Sequence, residues 1–165
     1  MSTAVQPNQV TAPAGSGVAE SEAERNTALL RRFIEEGFNK GNLAVVDEII
    51  APDYKEHQYV APNHPDGPEG VKNLIRDCRR LISGFHLTIQ DLVADGDTVW
   101  VRMIGQGTHG GEFLGRPPTG KAVVVAVIDI CRFEDGKLVE HWGVPDRFHL
   151  MVQLGFVPMP PGARA

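Results

Sequence analysis

A ten-residue segment, AVVVAVIDIC at residues 122–131, constrains this chain more than any other feature. Nine of its positions are apolar, and the exception is Asp129. A segment that is apolar on both alternating faces predicts a strand that is buried on both sides of its sheet. An ionised carboxylate is costly there unless it is paired. Asp129 is therefore a candidate general acid or base, and a structural carboxylate within the core fits the same pattern.

Composition narrows the class of protein. The chain has 165 residues, which suits one domain, and its net charge of −5 gives no basic footprint for nucleic acid. No apolar segment is long enough to span a bilayer, and the N-terminus lacks the pattern of a secretory signal. Cys78 and Cys131 each lie in an apolar pattern and are expected to be free thiols. We therefore expect a cytoplasmic protein with neither a nucleic-acid nor a membrane partner.

Residues 1–19 are rich in small residues and proline and predict a disordered tail. Residues 20–157 then form the folded domain, and 158–165 form a flexible C-terminal tail. Ser21 and Glu24 have the spacing of a capping box at the start of the first helix. Apolar periodicity predicts four helices, which are Ser21 to Gly41, Leu43 to Ile50, Pro68 to Ile82 and Arg147 to Leu154.

The second half of the chain predicts strands. Their spans are Phe85 to Val93, Thr98 to Thr108, Lys121 to Phe133 and Lys137 to Val144. Asp95-Gly96 and Glu134-Asp135-Gly136 are hairpin signals between them. Helices followed by an antiparallel sheet predict an α+β fold, with N-terminal helices packed on a curved sheet. Such a cone-shaped α+β barrel leaves a chamber for a small-molecule substrate.

Strand 98–108 alternates between two kinds of face. The face expected to pack on the helices contains Val99, Val101 and Met103, and the other contains Trp100, Arg102, Ile104 and Gln106. The mixed face fits a ligand cavity with a few polar anchors, although a solvent-facing sheet surface would look alike. We favour the cavity, with Trp100, Arg102 and Gln106 as substrate contacts.

The register of the last hairpin decides which residue faces Asp129. A two-residue turn at Asp135-Gly136 places Trp142 opposite Asp129. A three-residue loop with Gly136 in the left-handed bulge position places His141 there instead. We favour the second register, which makes Asp129 and His141 an acid–base pair.

Several other chemistries are unsupported. No two histidines or cysteines have the spacing of a zinc site, so no metal is predicted. The chain also lacks a Walker loop, a dinucleotide fingerprint and a nucleophile elbow, so no cofactor is predicted. His57 follows the second helix on an extended segment that could enter the chamber mouth.

Four segments carry a resemblance to a known family. They are NKGNLAVVDEIIAPDYKEH, GTHGGEFLGRPPTGK, ICRFEDGKLVEHWGVPD and QLG, which lie between residues 30 and 155. With them the chain resembles the SnoaL-like polyketide cyclase (ester cyclase) family, which has a nuclear-transport-factor-2-like fold. The resemblance implies an intramolecular aldol condensation without metal or cofactor. It also implies a histidine on the penultimate strand and an aspartate on the last, where this chain has Asp129 and Gly143.

The resulting hypothesis is a cyclase that acts on a polyketide-like metabolite. Its catalytic candidates are Asp129, His141 and His57, the last of which matches the family's D-Y-x-x-H segment. The further substrate contacts are His109 of the GTH motif, Trp142, Tyr54 and Phe33. The alternatives are a dehydratase, isomerase or epoxide-opening enzyme, or a non-catalytic binding protein. The apolar even positions of strand 122–130 must be covered by a helix or a partner subunit, and a homodimer is expected.

Overall fold

Helices from the first half of the chain pack against a five-stranded sheet. The computed structural model describes residues 20–58, 65–159 and 162, so the predicted tail at 1–19 and most of 158–165 lie outside the described residues. The helices are α1 (Glu22–Arg32), which continues as a π-helical segment (Phe33–Asn39), α2 (Ala44–Ile49), α3 (Gly67–Leu81) and α4 (Arg147–Leu154). The strands are β1 (Ile50–Glu56), β2 (Ile82–Asp95), β3 (Thr98–His109), β4 (Ala122–Glu134) and β5 (Lys137–Pro145).

The sheet has the strand order β1-β5-β4-β3-β2. Strand β1 runs parallel to β5, and the other neighbours are antiparallel. The α+β class is thus confirmed, but the sheet stays open, whereas the sequence predicted a barrel. Strand β1 was not predicted, because proline and acidic residues interrupt its short segment.

The inner face of the sheet, which packs on the helices, is built from the odd positions of β3 and β4. Val99, Val101 and Met103 are at most 2% exposed, as their alternation predicted. Val101 pairs with Asp129, so Asp129 also points to the inner face. Alternation along the strands therefore fixes Asp129 on the side of the core.

The outer face carries the even positions and is open in the single chain. Trp100 and Ile128 are each 49% exposed, Val124 is 50% exposed and Val144 is 70% exposed. The prediction that 122–131 is buried on both sides is therefore wrong for one chain. Its apolar even positions give it the sequence pattern of a strand that is buried on both sides. The sequence alone does not distinguish that case from an outer face that is open in the single chain.

Strand β4 meets β5 in a register that neither of the two sequence alternatives gave. Asp135-Gly136 forms a two-residue turn, and Glu134 pairs with Lys137. Both turn residues have positive φ, 48° and 73°, which a type I′ turn requires. A bulge in β5 next to Phe133 then shifts the pairing by one residue and places Gly143 opposite Asp129.

Two amide side chains fasten helices to exposed strand backbone. Asn39 at the end of the π-helical segment donates to Leu87 O at 3.0 Å and accepts from Leu87 N at 2.7 Å. Gln153 of α4 forms the same two-bond contact with the backbone of Val124 in β4. These contacts pair backbone groups that would otherwise lie open at strand edges.

Because Met103 lies on the inner face and Arg102 on the outer face, their substitution should lower the free energy of unfolding by different amounts. Met103→Ala should lower the free energy of unfolding by about 2–5 kcal/mol, because it removes a buried side chain. Arg102→Ala should change it by less than about 1 kcal/mol, because Arg102 forms only an exposed ion pair with Asp91. Urea denaturation of both variants tests the assignment, and equal effects would contradict it.

Candidate functional site

Three ionisable side chains meet on the inner face near the β1 edge of the sheet. His141 Nδ1 lies 2.8 Å from Glu56 Oε1 and 2.9 Å from Glu56 Oε2. On its other side, His141 Nε2 lies 3.4 Å from Asp129 Oδ2. One imidazole therefore bridges two carboxylates.

The strand pairing explains why these residues meet. Glu56 is the parallel partner of His141, so the end of β1 places its carboxylate beside the ring. Asp129 faces Gly143, and His141 stands two residues before Gly143 on the same face of β5. The contact between Asp129 and His141 is thus a diagonal one, which the side chains can span because no side chain stands between them.

Burial makes this arrangement electrostatically strong. The side chains of Glu56, His141 and Asp129 are only 8%, 12% and 16% exposed. Burial by itself disfavours the imidazolium, but the hydrogen bonds to Asp129 and Glu56 and their negative charges raise the pKa of His141 to about 10. His141 is therefore an imidazolium near neutral pH, whose Nδ1 donates to Glu56 and whose Nε2 forms an ion pair with Asp129.

Glu56 is held ionised by the donors around it. Its burial would raise its pKa, but the hydrogen bond and charge of His141 lower the pKa of Glu56 below its ordinary value. The backbone N–H of Gln58 and the hydroxyl of Tyr54 each donate to the same carboxylate at 2.8 Å. Burial and the nearby charge of Glu56 raise the pKa of Tyr54, so its hydroxyl stays protonated and can keep donating.

The two carboxylate oxygens of Asp129 have different surroundings. Oδ2 faces His141, whereas Oδ1 is buried and has no hydrogen-bond partner among the described residues. A buried acceptor without a partner is unfavourable and calls for an explanation. The imidazolium beside Asp129 compensates the charge of its carboxylate.

Gly143 belongs to the same site because of the space it leaves. A Cβ at this position would overlap Gln58 Oε1 and lie 2.7 Å from His141 Cε1 and 2.9 Å from Asp129 Oδ1. The amide of Gln58 and the two functional side chains thus surround the point where a side chain of residue 143 would begin.

Four of the predicted site residues lie on the other face of the sheet from Asp129. Trp100, Arg102 and Gln106 occupy even positions of β3, so the prediction that they share a chamber with Asp129 is wrong. The two strands pair odd with odd positions, and alternation within one strand cannot reveal this register. Trp142 is likewise on the outer face, where it pairs with Ile130.

His57, a predicted catalytic residue, also lies outside the site, on the outer face of the sheet. Its ring stacks on the outward-facing Trp142, with centroids 4.5 Å apart and planes inclined by 4°. Its Nε2 lies 3.4 Å from Glu140 Oε2. Alternation beyond β1 turns His57 outward and its neighbours Glu56 and Gln58 inward.

The other predicted contacts have different surroundings. His109 is fully buried, and its Nδ1 accepts from the backbone N–H of Thr119 at 3.1 Å, so it holds the loop between β3 and β4. Phe33 is a core residue that packs edge-on against Phe38 at 5.5 Å. Tyr54 reaches the site through its hydrogen bond to Glu56.

Sequence reasoning missed Glu56 and Gln58. A signal was present, because Tyr54, Glu56 and Gln58 alternate in DYKEHQ as inward residues of a strand do. Over residues 20–58 and 65–159, no group of His, Cys, Asp and Glu has the arrangement of a metal site. Nor does this part of the chain contain a helix long and apolar enough to cross a membrane.

Comparisons with known proteins agree with the fold. A family model described as SnoaL-like polyketide cyclase matches residues 28–154. The nogalonic acid methyl ester cyclase of Streptomyces nogalater is 28% identical over 120 residues, which are 72% of this chain and 89% of that protein. The aklanonic acid methyl ester cyclase DauD of Streptomyces sp. (strain C5) is 30% identical over 144 residues, which are 82% and 86% of the two chains.

Among solved structures, TsrD from Streptomyces laurentii superposes with a TM-score of 0.73 at 32% identity, over 81% of this chain and 96% of that one. Fold and site define a small helix-on-sheet protein with a buried acid–base group. The chain belongs to the SnoaL-like polyketide cyclase family. The predicted family is confirmed, and its named relatives support a cyclase role for this chain.

The raised pKa of His141 predicts a pH-dependent stability. An unfolded histidine loses its proton near pH 6.5, whereas the folded one keeps it until about pH 10. The bridge therefore stabilises the fold fully below about pH 6.5, and this contribution is lost between about pH 6.5 and about pH 10, by up to about 1.4 kcal/mol per pH unit.

Urea denaturation across this range, compared with His141→Gln, measures the loss. The unaltered protein should weaken more steeply with rising pH than the variant. Parallel curves for the two proteins would contradict a charged bridge.

Proposed function

We propose that this protein is a cofactor-independent cyclase that closes a ring in a polyketide-like substrate by an intramolecular aldol reaction. One observation carries the proposal: Asp129 presents a buried, unpartnered oxygen beside an imidazolium that a second carboxylate holds in place. Such a carboxylate is a suitable general base, because the donors next to it are already oriented before the reaction begins.

The reaction needs no atoms from outside the substrate. Asp129 Oδ1 removes a proton from the carbon next to a carbonyl, and the electron pair of that C–H bond forms an enolate. The enolate carbon attacks a second carbonyl carbon of the same molecule, and the electron pair of that C=O bond becomes an alkoxide. The protonated Asp129 returns its proton to the alkoxide, so product and substrate have equal mass.

Glu56 and His141 act as positioning residues for this base. Glu56 binds one ring nitrogen of His141 and so directs the other toward Asp129. The imidazolium stabilises Asp129 as a carboxylate before proton transfer and leaves only Oδ1 free to react. Because both ring nitrogens are engaged, His141 is not free to abstract a proton itself.

The substrate class follows from the relatives' named activities. We propose that the chain converts a polyketide methyl ester of the type named for those relatives, nogalonic or aklanonic acid methyl ester. Incubation of either compound with the protein should give an isomer of unchanged mass with a new retention time. Loss of 18 mass units would instead indicate dehydration, and no product from either ester would contradict this substrate class.

Asp129→Asn tests the base directly. Turnover should fall by at least about 100-fold, since an amide cannot accept the proton. Asp91→Asn is the matched control, because Asp91 is an exposed aspartate that pairs with Arg102 on the outer face. Retention of half or more of the turnover by a folded Asp129→Asn protein would contradict the proposed role.

We also propose a symmetric homodimer formed through the outer face. Four of its apolar side chains are about half exposed or more, namely Trp100, Val124, Ile128 and Val144. A contiguous apolar surface of this kind usually meets a partner, and a second copy is the commonest one. The two free thiols, Cys78 and Cys131, support a reducing compartment, and we propose the cytoplasm.

Ile128→Arg should convert the dimer into a monomer, because it places an unpaired charge in the centre of the proposed interface. Asp77→Arg is the control, as it adds the same side chain at an exposed position of α3. Size-exclusion chromatography with light scattering gives the masses. A monomeric unaltered protein, or a dimeric Ile128→Arg variant, would contradict this interface.

A further inference from the structure

Gln58 stands beside the proposed base, with its side-chain amide close to Asp129 and His141. In the described part of the chain only its backbone N–H forms a hydrogen bond, to Glu56 Oε1 at 2.8 Å. Its side chain is half-buried and follows Glu56 on the inward side. Because Gln58 is half-buried and its amide is not one of the fully buried groups that lack a partner, the amide is open to solvent and can meet a bound ligand.

The absence of a side chain at residue 143 gives this amide its position. Gln58 Oε1 would overlap a Cβ built on Gly143, and that same point is 2.9 Å from Asp129 Oδ1. The amide and the free oxygen of Asp129 therefore converge on one small space. Gly143 has no positive φ, so the backbone does not require glycine here; a larger residue is opposed instead by Gln58 Oε1, His141 Cε1 and Asp129 Oδ1, which surround the Cβ position.

The chemistry of the two groups is complementary for a carbonyl substrate. A proton on carbon becomes acidic enough to remove only when the neighbouring carbonyl oxygen is stabilised as it gains charge. A primary amide has two N–H donors and can turn about its last bond to present them. Placed next to Asp129 Oδ1, these donors can bind the oxygen that becomes the enolate while Asp129 takes the adjacent proton.

We propose that Gln58 is a second catalytic residue, which binds the substrate's carbonyl oxygen and stabilises the enolate, and that Gly143 is required because it admits this amide. The proposal rests on the proposed function, since it assigns a role relative to Asp129. It requires a substrate whose reacting carbonyl oxygen lies against the amide of Gln58 while the adjacent carbon lies against Asp129 Oδ1.

The test compares four variants with aklanonic acid methyl ester as the probe. Gln58→Leu should lower kcat about 100-fold with a small change in KM, because the donor acts mainly on the enolate. Gly143→Ala should lower kcat at least as far, because its Cβ would displace the amide and also press on Asp129 Oδ1 and His141 Cε1. The double variant should lose no more than Gly143→Ala alone, because the amide is already displaced in that variant. Lys55→Ala, an exposed outward position of β1, is the control and should keep normal turnover.

His141 provides a readout of the fold of the site. Its imidazolium signal should persist by nitrogen NMR in Gln58→Leu, because Gln58 contacts the substrate and its side chain has no bond to the bridge. Loss of that signal together with activity would mean that Gln58 only supports the bridge, and would overturn the proposal.

The remaining outcomes separate this proposal from the proposed function. Full activity of Gln58→Leu beside an inactive Asp129→Asn would overturn the role of Gln58 and leave the base intact. A rise in KM with unchanged kcat would also overturn it, since it would indicate binding of the ground state only. An active Asp129→Asn, or an unaltered protein without turnover, would overturn the proposed function and this inference with it.

Discussion

The site depends on one imidazole held between two carboxylates. His141 alone in this buried place would be neutral, and Glu56 or Asp129 alone would be a costly unpaired charge. Together, the bonds to Glu56 at 2.8 Å and to Asp129 at 3.4 Å stabilise the imidazolium and leave a single excess negative charge. That charge is carried by a cluster in which Asp129 Oδ1 has no described hydrogen-bond donor, and this is why we propose Asp129 as the general base.

Strand β1 is what makes this cluster possible. It adds to the sheet in parallel beside β5, so its last residue, Glu56, comes level with His141. The bulge in β5 then moves Gly143 opposite Asp129 and puts His141 on the diagonal. Without the bulge, Trp142 would face Asp129, and the imidazole would point to the outer face. A one-residue irregularity thus decides which side chain meets the base.

The sequence was sufficient for the fold class and the helices, because periodicity and capping are local properties, and it singled out Asp129 as the one charged residue in an apolar strand. It was insufficient for the register between strands, because alternation is defined only within each strand. Arg102 and Gln106 were therefore predicted to share a chamber with Asp129, although they lie on the outer face. It also missed Glu56, because β1 is short and contains a proline, and its pairing with β5 joins residues far apart in the chain. The outer face was mispredicted for a different reason: a sheet surface that is apolar but open in the single chain has the composition of a core.

The most direct measurement of the central claim is the nitrogen NMR spectrum of His141 in histidine-labelled protein, assigned with His141→Gln. At about pH 8.5, well above the ordinary histidine pKa of about 6.5, both ring nitrogens should remain protonated and hydrogen-bonded to carboxylates. A neutral ring that titrates near its ordinary value would contradict the charged bridge, and with it the account of Asp129 as a base held ready by His141 and Glu56.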